Sequence, residues 1–239
     1  MTERAAIVTG AASGLGLACA ERLAADGVAV TAVDVDTGRL EAVVGRLGPH
    51  ARAAFCDIRE RDGCARVVAE TVARCGGLAV VVNAAGVYPR RPLLEISADD
   101  WRHVFEVNVL GTYNMAVEAI AAMRDRGGHI VNISSIDGFT SHPDNAHYAA
   151  TKAAVISLTR SLALEVAPFG IRVNSVAPGP MATDRAMRTD WYDAMVEALP
   201  TRQPIEPAEV ADLVAYLSSP ANVSIAGENV IISGGGLIA

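Results

Sequence analysis

The sequence predicts an α/β domain: a doubly wound parallel sheet of seven strands with helices on both faces. Two observations predict it. Short runs of strand length recur along the chain that are apolar throughout rather than alternating, as strands buried on both faces require, and most are followed by a longer segment of helical period. Parallel neighbours joined by helices need right-handed crossovers, and two βαβαβ halves leave a crevice outside the carboxyl ends of the first and fourth strands. With 239 residues and 51% hydrophobic content, the chain reads as one domain over 1–239, large enough to bury most of such a sheet.

The predicted strands are Ala5–Thr9, Val28–Val33, Ala51–Cys56, Ala79–Val82, His129–Ile133, Arg172–Val176 and Asn229–Ile232. The predicted helices lie at about 14–26, 38–47, 60–75, 98–124, 147–167 and 207–218. One start is clearly signed: Ser97, followed three residues later by Asp100, forms a capping pair before Trp101.

Composition excludes several function classes. A net charge of −7, with no basic cluster longer than Arg90-Arg91, argues against a nucleic-acid partner. No uninterrupted apolar run reaches the ~18 residues of a membrane span, and the N-terminus lacks the pattern of a signal peptide, so a cytoplasmic protein is expected. Cys19, Cys56, Cys64 and Cys75 show no CxxC spacing and no histidine placed beside them, so packed, reduced thiols and no metal site are expected.

The first strand runs into Thr9-Gly10-Ala-Ala-Ser13-Gly14-Leu15-Gly16 and then into a helix. Gly10 permits a tight turn, while Gly14 and Gly16 let backbone and helix approach a pyrophosphate, which the free N–H groups and dipole of a helix N-terminus attract. Asp34 ends the second strand, some 20 residues on, where a carboxylate accepts from both ribose hydroxyls of NAD and repels a 2′-phosphate. NAD is therefore the expected cofactor.

Tyr148 and Lys152 are four residues apart in the fifth predicted helix, so their side chains leave one face a turn apart. A phenol titrates near 10 and is a poor base at neutral pH unless a nearby cation favours its ionised form. Of the 20 basic residues, 19 are arginine and Lys152 is the only lysine. A compact point charge with three donors stands where the chemistry calls for one, and a planar fork everywhere else.

Tyr148-x-x-x-Lys152, with Ser135 thirteen residues upstream and Thr9-Gly10-x-x-x-Gly14-x-Gly16 near the start, resembles the short-chain dehydrogenase/reductase family over essentially the whole chain. The resemblance implies a single-domain Rossmann fold and a catalytic set of Asn108, Ser135, Tyr148 and Lys152. In it Asn108 holds a water linking the lysine to solvent, and Ser134 is only a structural neighbour of Ser135. It further implies that Asp57-Ile58 meets the adenine, that Asn83-Ala84-Ala85-Gly86 passes close to the cofactor, and that Pro178-Gly179-Pro180-Met181-Ala182-Thr183 forms the nicotinamide side, with Thr183 bonding the carboxamide. Gly10, Ser13, Gly14, Leu15, Gly16, Asp34, Tyr148 and Lys152 complete the expected cofactor contacts. Ser233-Gly-Gly departs from the Asp-Gly-Gly often found near the C-terminus of the family.

The family places a mobile substrate lid at the positions from about 184 to 204, where Met187, Trp191, Tyr192, Met195 and Leu199 have helix-like spacing. Asp137, His142, Asn145 and His147 lie in the loop before Tyr148, near where a substrate must sit, and Arg90 and Arg91 follow the Asn83 turn. Whether Arg90, Arg91, His142 or His147 meets substrate stays open at this level. The family also pairs its fourth and fifth helices across a two-fold axis. Tyr113, Ala116, Ile120, Val155, Leu158 and Leu162 offer an apolar surface for this, so a homotetramer, or at least a dimer, is expected.

The function expected is NAD-dependent interconversion of a small-molecule secondary alcohol and its ketone. Ser135 would orient the oxygen, Tyr148 transfer the proton, and Lys152 lower the tyrosine pKa while bonding the nicotinamide ribose. Two alternatives are a 3-oxoacyl-thioester ketoreductase and, in a different class, a dinucleotide sensor or scaffold without catalysis, since fold does not settle function.

Overall fold

The computed structural model describes residues 4–238. Seven strands form one sheet in the order β3-β2-β1-β4-β5-β6-β7. They are β1 (Ala5–Thr9), β2 (Ala29–Asp34), β3 (Arg52–Phe55), β4 (Val80–Asn83), β5 (Gly128–Ile133), β6 (Ile171–Pro178) and β7 (Asn229–Ile232), and every pairing is parallel. The helices are α1 (Gly14–Ala25), α2 (Thr37–Leu47), α3 (Arg61–Cys75), α4 (Ala98–Phe105), α5 (Gly111–Met123), α6 (Ala146–Val166), α7 (Tyr192–Glu197) and α8 (Pro207–Leu217).

Successive strand residues feed two cores, because side chains leave a strand on alternate sides. Ala6, Val8, Val80, Val82 and Val131 pack under α1 and α8, with Leu15, Leu23, Val210 and Val214. Ile7, Val81, Ile130 and Val173 pack on the other face with Val67, Met115, Met123 and Leu162 from α3, α5 and α6. The doubly wound reading thus holds, and the continuous apolar runs reflect burial on both faces.

Three differences from the sequence reading matter. The expected helix over 98–124 begins with the capping box of Ser97 and Asp100, but a π-helical turn over Glu106–Leu110 interrupts it and divides it into α4 and α5. This turn carries Asn108, and one extra residue per turn re-aims a side chain, the usual setting of such a bulge. β6 runs two residues past its expected end, through Pro178, and so carries the Gly179 turn towards the crevice. The apolar surface expected to pair between subunits is narrower than the sequence suggests. Ala116, Val155 and Leu162 are buried within this chain's own core, while Tyr113 remains exposed and Leu158 half-buried.

Candidate active site

Strand order reverses between β1 and β4, which pair with Thr9 opposite Asn83. The Thr9 hydroxyl accepts from the amides of both Ala84 and Ala85 at 3.1 Å, tying together the two segments that leave the sheet there. Sequence reading gave Thr9 no role of its own. Its signal was its place as the last residue of β1, where a hydroxyl can bond a neighbouring chain after the ladder ends.

The glycines follow from this closeness. Gly10 has φ +70°, and a Cβ there would stand 2.8 Å from the Ala85 Cα; a Cβ on Gly16 would fall 2.1 Å from the Gly10 carbonyl oxygen. Ser13 precedes α1 without capping it by its side chain, so the first amides of that helix stay open to an anion. This bare, close turn with an uncapped helix behind it fits the pyrophosphate of a dinucleotide.

The turn forms one end of a cavity of about 1110 Å³ that runs outside the carboxyl ends of the strands. Gly10, Ser13, Gly14, Leu15, Gly16, Asp34, Asp57, Ile58, Ala84, Gly86, Ser135, Tyr148, Lys152, Pro178, Gly179, Met181 and Thr183 all line it. The Asp34 carboxylate accepts from three backbone amides, Ala12 at 3.0 Å, Val35 at 2.8 Å and Asp36 at 3.0 Å. These hold it at the mouth of the cavity. Asp36, not Asp34, caps α2 by accepting from the Arg39 amide. Arg39 lies beside Asp36 at 3.4 Å. Asp57 is engaged by Arg59, whose guanidinium donates from Nε to Oδ1 and from Nη2 to Oδ2 and keeps the carboxyl below its usual range. Thr183 stands opposite the glycine turn: a Cβ on Gly14 would lie 3.6 Å from its Cγ2.

Two expected contacts sit behind the cavity instead of in it. Asn83 is buried, and its amide donates to Asn132, which in turn donates to Thr159. Its side chain therefore ties β4 through β5 to α6 and does not face a cofactor. Asn108 is also buried. Its Oδ1 accepts from the Val87 amide at 2.8 Å while its Nδ2 donates to the Val87 carbonyl at 2.9 Å and to Thr151 Oγ1 at 3.0 Å. Through both ends of its carboxamide the side chain clamps the chain after β4 to α6. Gly86 lies between it and the lysine, since a Cβ there would be 3.2 Å from Asn108 Oδ1 and 3.8 Å from Lys152 Nζ.

Ser135, Tyr148 and Lys152 converge on one wall. The Ser134 hydroxyl shares its proton between the Val176 carbonyl and Asn229 Oδ1, so although both serines border the cavity, Ser135 has the hydroxyl left for a ligand there. The Ser135 hydroxyl accepts from the Asp137 amide at 3.1 Å, so its own proton is free to be donated. Lys152 is buried and donates to the Ile133 carbonyl at 2.8 Å, and its Nζ lies 5.6 Å from the centre of the Tyr148 ring. Burial pushes the ammonium down to about 8, against the raising influence of Asp137. The Tyr148 phenol is raised, not lowered as the sequence reading expected. Burial and the Asp137 carboxylate disfavour its ionised form, and the Ser135 hydrogen bond opposes them only in part. In this arrangement Tyr148 is a proton donor and Ser135 a second one, a pair suited to meeting an oxygen on which negative charge develops.

The four basic side chains left open by the sequence separate cleanly. Arg90 lines the cavity, its guanidinium 4.4 Å over the Trp191 ring. Arg91 points outward to Asp100 at 3.4 Å. His142 lies 3.3 Å from Asp137 and borders a smaller neighbouring cavity. His147 is fully buried, against Trp101. In the expected lid, Tyr192 and Leu199 are buried packing residues, whereas Trp191 and Met195 line the cavity. Arg185 also belongs to the wall, lying 4.4 Å over the Tyr88 ring, and neither it nor Tyr88 was singled out from sequence. Near the C-terminus, Ser233 bonds both the amide and the carbonyl of Leu237, closing the turn in which it replaces the family's aspartate.

Comparisons with known proteins bear on the family to which the chain belongs. The family model described as enoyl-(acyl carrier protein) reductase matches residues 10–236. The human (3R)-3-hydroxyacyl-CoA dehydrogenase is 39% identical over 246 residues, covering 96% of this chain and 94% of that protein. The 3-oxoacyl-(acyl-carrier-protein) reductase of Vibrio harveyi is 32% identical, covering 96% of each. A dehydrogenase/reductase of Sinorhizobium meliloti, known from its crystal structure, superposes with a TM-score of 0.94 at 35% identity over 100% of this chain and 96% of that one. With a parallel seven-stranded sheet, a glycine turn at its switch point and a serine, a tyrosine and a lysine on one wall of the crevice, the chain belongs to the short-chain dehydrogenase/reductase family.

Proposed function

We propose that this protein interconverts a secondary alcohol and a ketone with NAD as the hydride carrier. Its membership of an oxidoreductase family acting on hydroxyl and keto groups gives the reaction class. The observation that carries the reading is the convergence of Ser135, Tyr148 and Lys152 on a cavity whose far end is the bare glycine turn. The nicotinamide supplies hydride acceptance or donation.

The chain's residues do the rest. Ser135, its lone pair already bonded by the Asp137 amide, donates to the substrate oxygen and holds it beside Tyr148. In reduction Tyr148 gives its proton to that oxygen; in oxidation it takes the proton back. Lys152, fixed on the Ile133 carbonyl, keeps a positive charge beneath the ring and lowers the cost of the phenolate left behind. Asn108 holds the wall after β4 in place through Val87. Asp34, at the adenosine end, supports NAD over NADP.

A second reading, reduction of a 3-oxoacyl thioester, is favoured by what the human and Vibrio relatives are named for. We also propose that the protein self-associates through α5 and α6, where Tyr113 is 38% and Leu164 81% exposed. Sedimentation as a single chain at micromolar concentration would refute this.

The deciding experiment is a panel of secondary alcohols, ketones and a 3-oxoacyl thioester, assayed with NAD(H) and with NADP(H) at the nicotinamide absorbance. Turnover that disappears in Tyr148→Phe supports the reading. Nucleotide binding without turnover of any member would point to a sensor or scaffold instead.

A further inference from the structure

Two kinds of arginine line the cavity. At its adenosine end each lies against a carboxylate of this chain, Arg39 beside Asp36 at 3.4 Å and Arg59 on Asp57 at 2.6 Å. Arg90, from the segment after β4, and Arg185, from the segment after β6, instead lie over aromatic rings, each 4.4 Å from the ring centre of Trp191 and of Tyr88. Among the described residues neither has a carboxylate within ion-pair distance. Asp137, whose carboxyl feels the charge of Arg90, is bonded by Asn145 at 2.8 Å, and Asp184 lines the cavity without pairing to either arginine. Arg188, three residues after Arg185, also lines the cavity without a partner among the described residues. In a chain with 27 acidic and 20 basic residues, carboxylates are plentiful and are not spent here.

A guanidinium over a ring spends its face on the contact and keeps its five N–H donors in the plane of the fork. Arg90 gives one of them to Met195 Sδ, a weak acceptor, at 3.1 Å, and Arg185 gives none to any described residue. The stacking therefore fixes two forks and leaves their edges for a ligand with paired anionic oxygens. We propose that Arg90 and Arg185 form an anion clamp, and that the substrate is a small secondary alcohol or ketone bearing a carboxylate or a phosphate ester. This deepens the oxidoreductase reading and rests on it.

Tyr88 sets the scale of that substrate. Arg185 lies over its ring, and the same ring meets Tyr148 edge-on with centres 6.3 Å apart, so two short contacts separate the guanidinium from the phenol. A molecule of a few carbon atoms spans them. A pantetheine thioester carries its phosphates much farther from its reacting carbonyl, and its acyl chain would cover the free donors without meeting them. Arg90 is half-buried and Arg185 exposed, so Arg90 is screened less and contributes more. In the oxidative direction the alcohol loses a hydride to the nicotinamide and a proton to Tyr148, while the acid group keeps its charge throughout.

The test uses two hydroxy acids of different reach, 3-hydroxybutanoate and 5-hydroxyhexanoate, each beside its neutral primary amide, together with 2-hydroxypropyl phosphate and 3-hydroxybutyryl-CoA. Wild type is compared with Arg90→Leu, Arg90→Lys and Arg185→Leu. The readouts are kcat/KM with NAD, calorimetric binding of the acids and the phosphate ester to enzyme with NADH, and binding of NADH itself. A bidentate charge-assisted pair is worth about ten- to a hundredfold. In wild type the acid should exceed its amide by that factor at one chain length, or the phosphate ester should exceed both acids, which tells the two anions apart. The preference should collapse in Arg90→Leu and fall in part in Arg185→Leu and in Arg90→Lys, which keeps the charge without the fork, with NADH binding unchanged in all three. Acid and amide equal at both lengths with a phosphate ester indifferent to the substitutions, or a thioester that exceeds every small anion, overturns the clamp and leaves the oxidoreductase standing. A loss of NADH affinity in Arg185→Leu as large as its loss of acid affinity assigns that arginine to the cofactor and also overturns the clamp. Absent turnover, together with acid or phosphate binding that Arg90→Leu abolishes, supports the clamp and refutes the proposed reaction. Absent turnover and absent anion binding overturn both.

Discussion

The guanidinium of Arg90 lies 4.4 Å over the centre of the Trp191 ring and donates to Met195 Sδ at 3.1 Å. Arg90 belongs to the segment after β4 and Trp191 to the segment after β6, so this contact bridges the two walls of the cavity. A second one crosses it in the opposite sense, with Arg185 of the later segment 4.4 Å over Tyr88 of the earlier. Tyr88 in turn meets Tyr148 edge-on with ring centres 6.3 Å apart. The 184–204 segment is thus fastened over the site by arginine–aromatic stacking.

Trp191→Ala should loosen that fastening without touching the proton-transfer groups. Losing one partly exposed cation–π contact costs about 1 kcal/mol, or roughly fivefold in an equilibrium. KM for substrate is expected to rise about that much while kcat changes less than twofold, since a closed state common to ground and transition state is being lost. Faster proteolytic cleavage within 184–204 should accompany it. An unchanged KM would show that the stacking does not hold the segment closed.

The single lysine leads to a pH prediction. Lys152 is buried and its pKa falls from an ordinary 10.5 to about 8. The folded state therefore binds fewer protons than the unfolded state between those values, and stability gains with rising pH in that window. Below pH 8 both states are protonated and the penalty for burying the charge is fully present. Lys152→Met removes this dependence, so the Tm of wild type minus that of the variant should become more favourable to wild type from pH 8 towards 10.5. Activity should behave oppositely: the variant loses about 10²–10⁴ in kcat. Lys152→Arg should lose nearly as much, because a planar guanidinium does not fit where Nζ meets the Ile133 carbonyl. A Tm difference flat with pH, or an active arginine variant, would contradict this account.

The parts of the site legible in sequence were those in which spacing alone sets geometry. Tyr148 and Lys152 share a helix face because they are four residues apart, and the glycine turn sits between a strand and a helix whose patterns are unmistakable. Other features were hidden because they depend on where a side chain is spent. Asn83 and Asn108 carry motif positions, yet their amides bond Asn132 and Val87. The π turn at Glu106–Leu110 was invisible because its residues keep a helical pattern. The raised Tyr148 phenol was missed because it comes first from burial, which only the fold creates, and then from Asp137, whose charge the folded loop brings back to the ring. The three buried residues of the expected subunit surface show the same limit: apolar spacing on a helix does not say which partner covers it.

Two glycines predict opposite responses to one added methyl. A Cβ on Gly16 would stand 2.1 Å from the Gly10 carbonyl oxygen, a backbone atom that cannot yield without reshaping the turn. Gly16→Ala should abolish dinucleotide binding and lower Tm by several degrees. Gly45 lies inside α2, where an added Cβ meets nothing within 4 Å. Gly45→Ala should stabilise by about 1 kcal/mol, since alanine exceeds glycine in helix propensity by that amount. A thermal melt of each variant decides both cases.

Cofactor choice turns on Asp34. Three amides hold its carboxylate at the end of β2, so its orientation is set before any ribose arrives, and the lone pair left on Oδ2 can accept from a ribose hydroxyl. A 2′-phosphate there would face a fixed like charge. Unit charges about 4 Å apart repel by roughly 4 kcal/mol at an effective dielectric near 20, and exposure with salt reduces this to about 1–3 kcal/mol. Wild type should therefore prefer NAD by about ten- to a few hundredfold in kcat/KM. The positions from which a cation could reverse the choice hold Ser13 and Val35, and Arg39 is drawn to Asp36 at 3.4 Å. Asp34→Ala should bring the NAD-to-NADP ratio towards unity, chiefly by weakening NAD, and should lower Tm because three amides lose their acceptor. Asp34→Asn separates the two effects in part: its Oδ1 still accepts from the Val35 and Asp36 amides, while its NH2 replaces the oxygen that accepts from Ala12, so the ratio should fall with a smaller loss of Tm than in Asp34→Ala. If wild type prefers NADP, or if the ratio is the same in all three proteins, Asp34 does not set the choice and the selectivity must lie with Arg39 or Arg59 at the same end of the cavity.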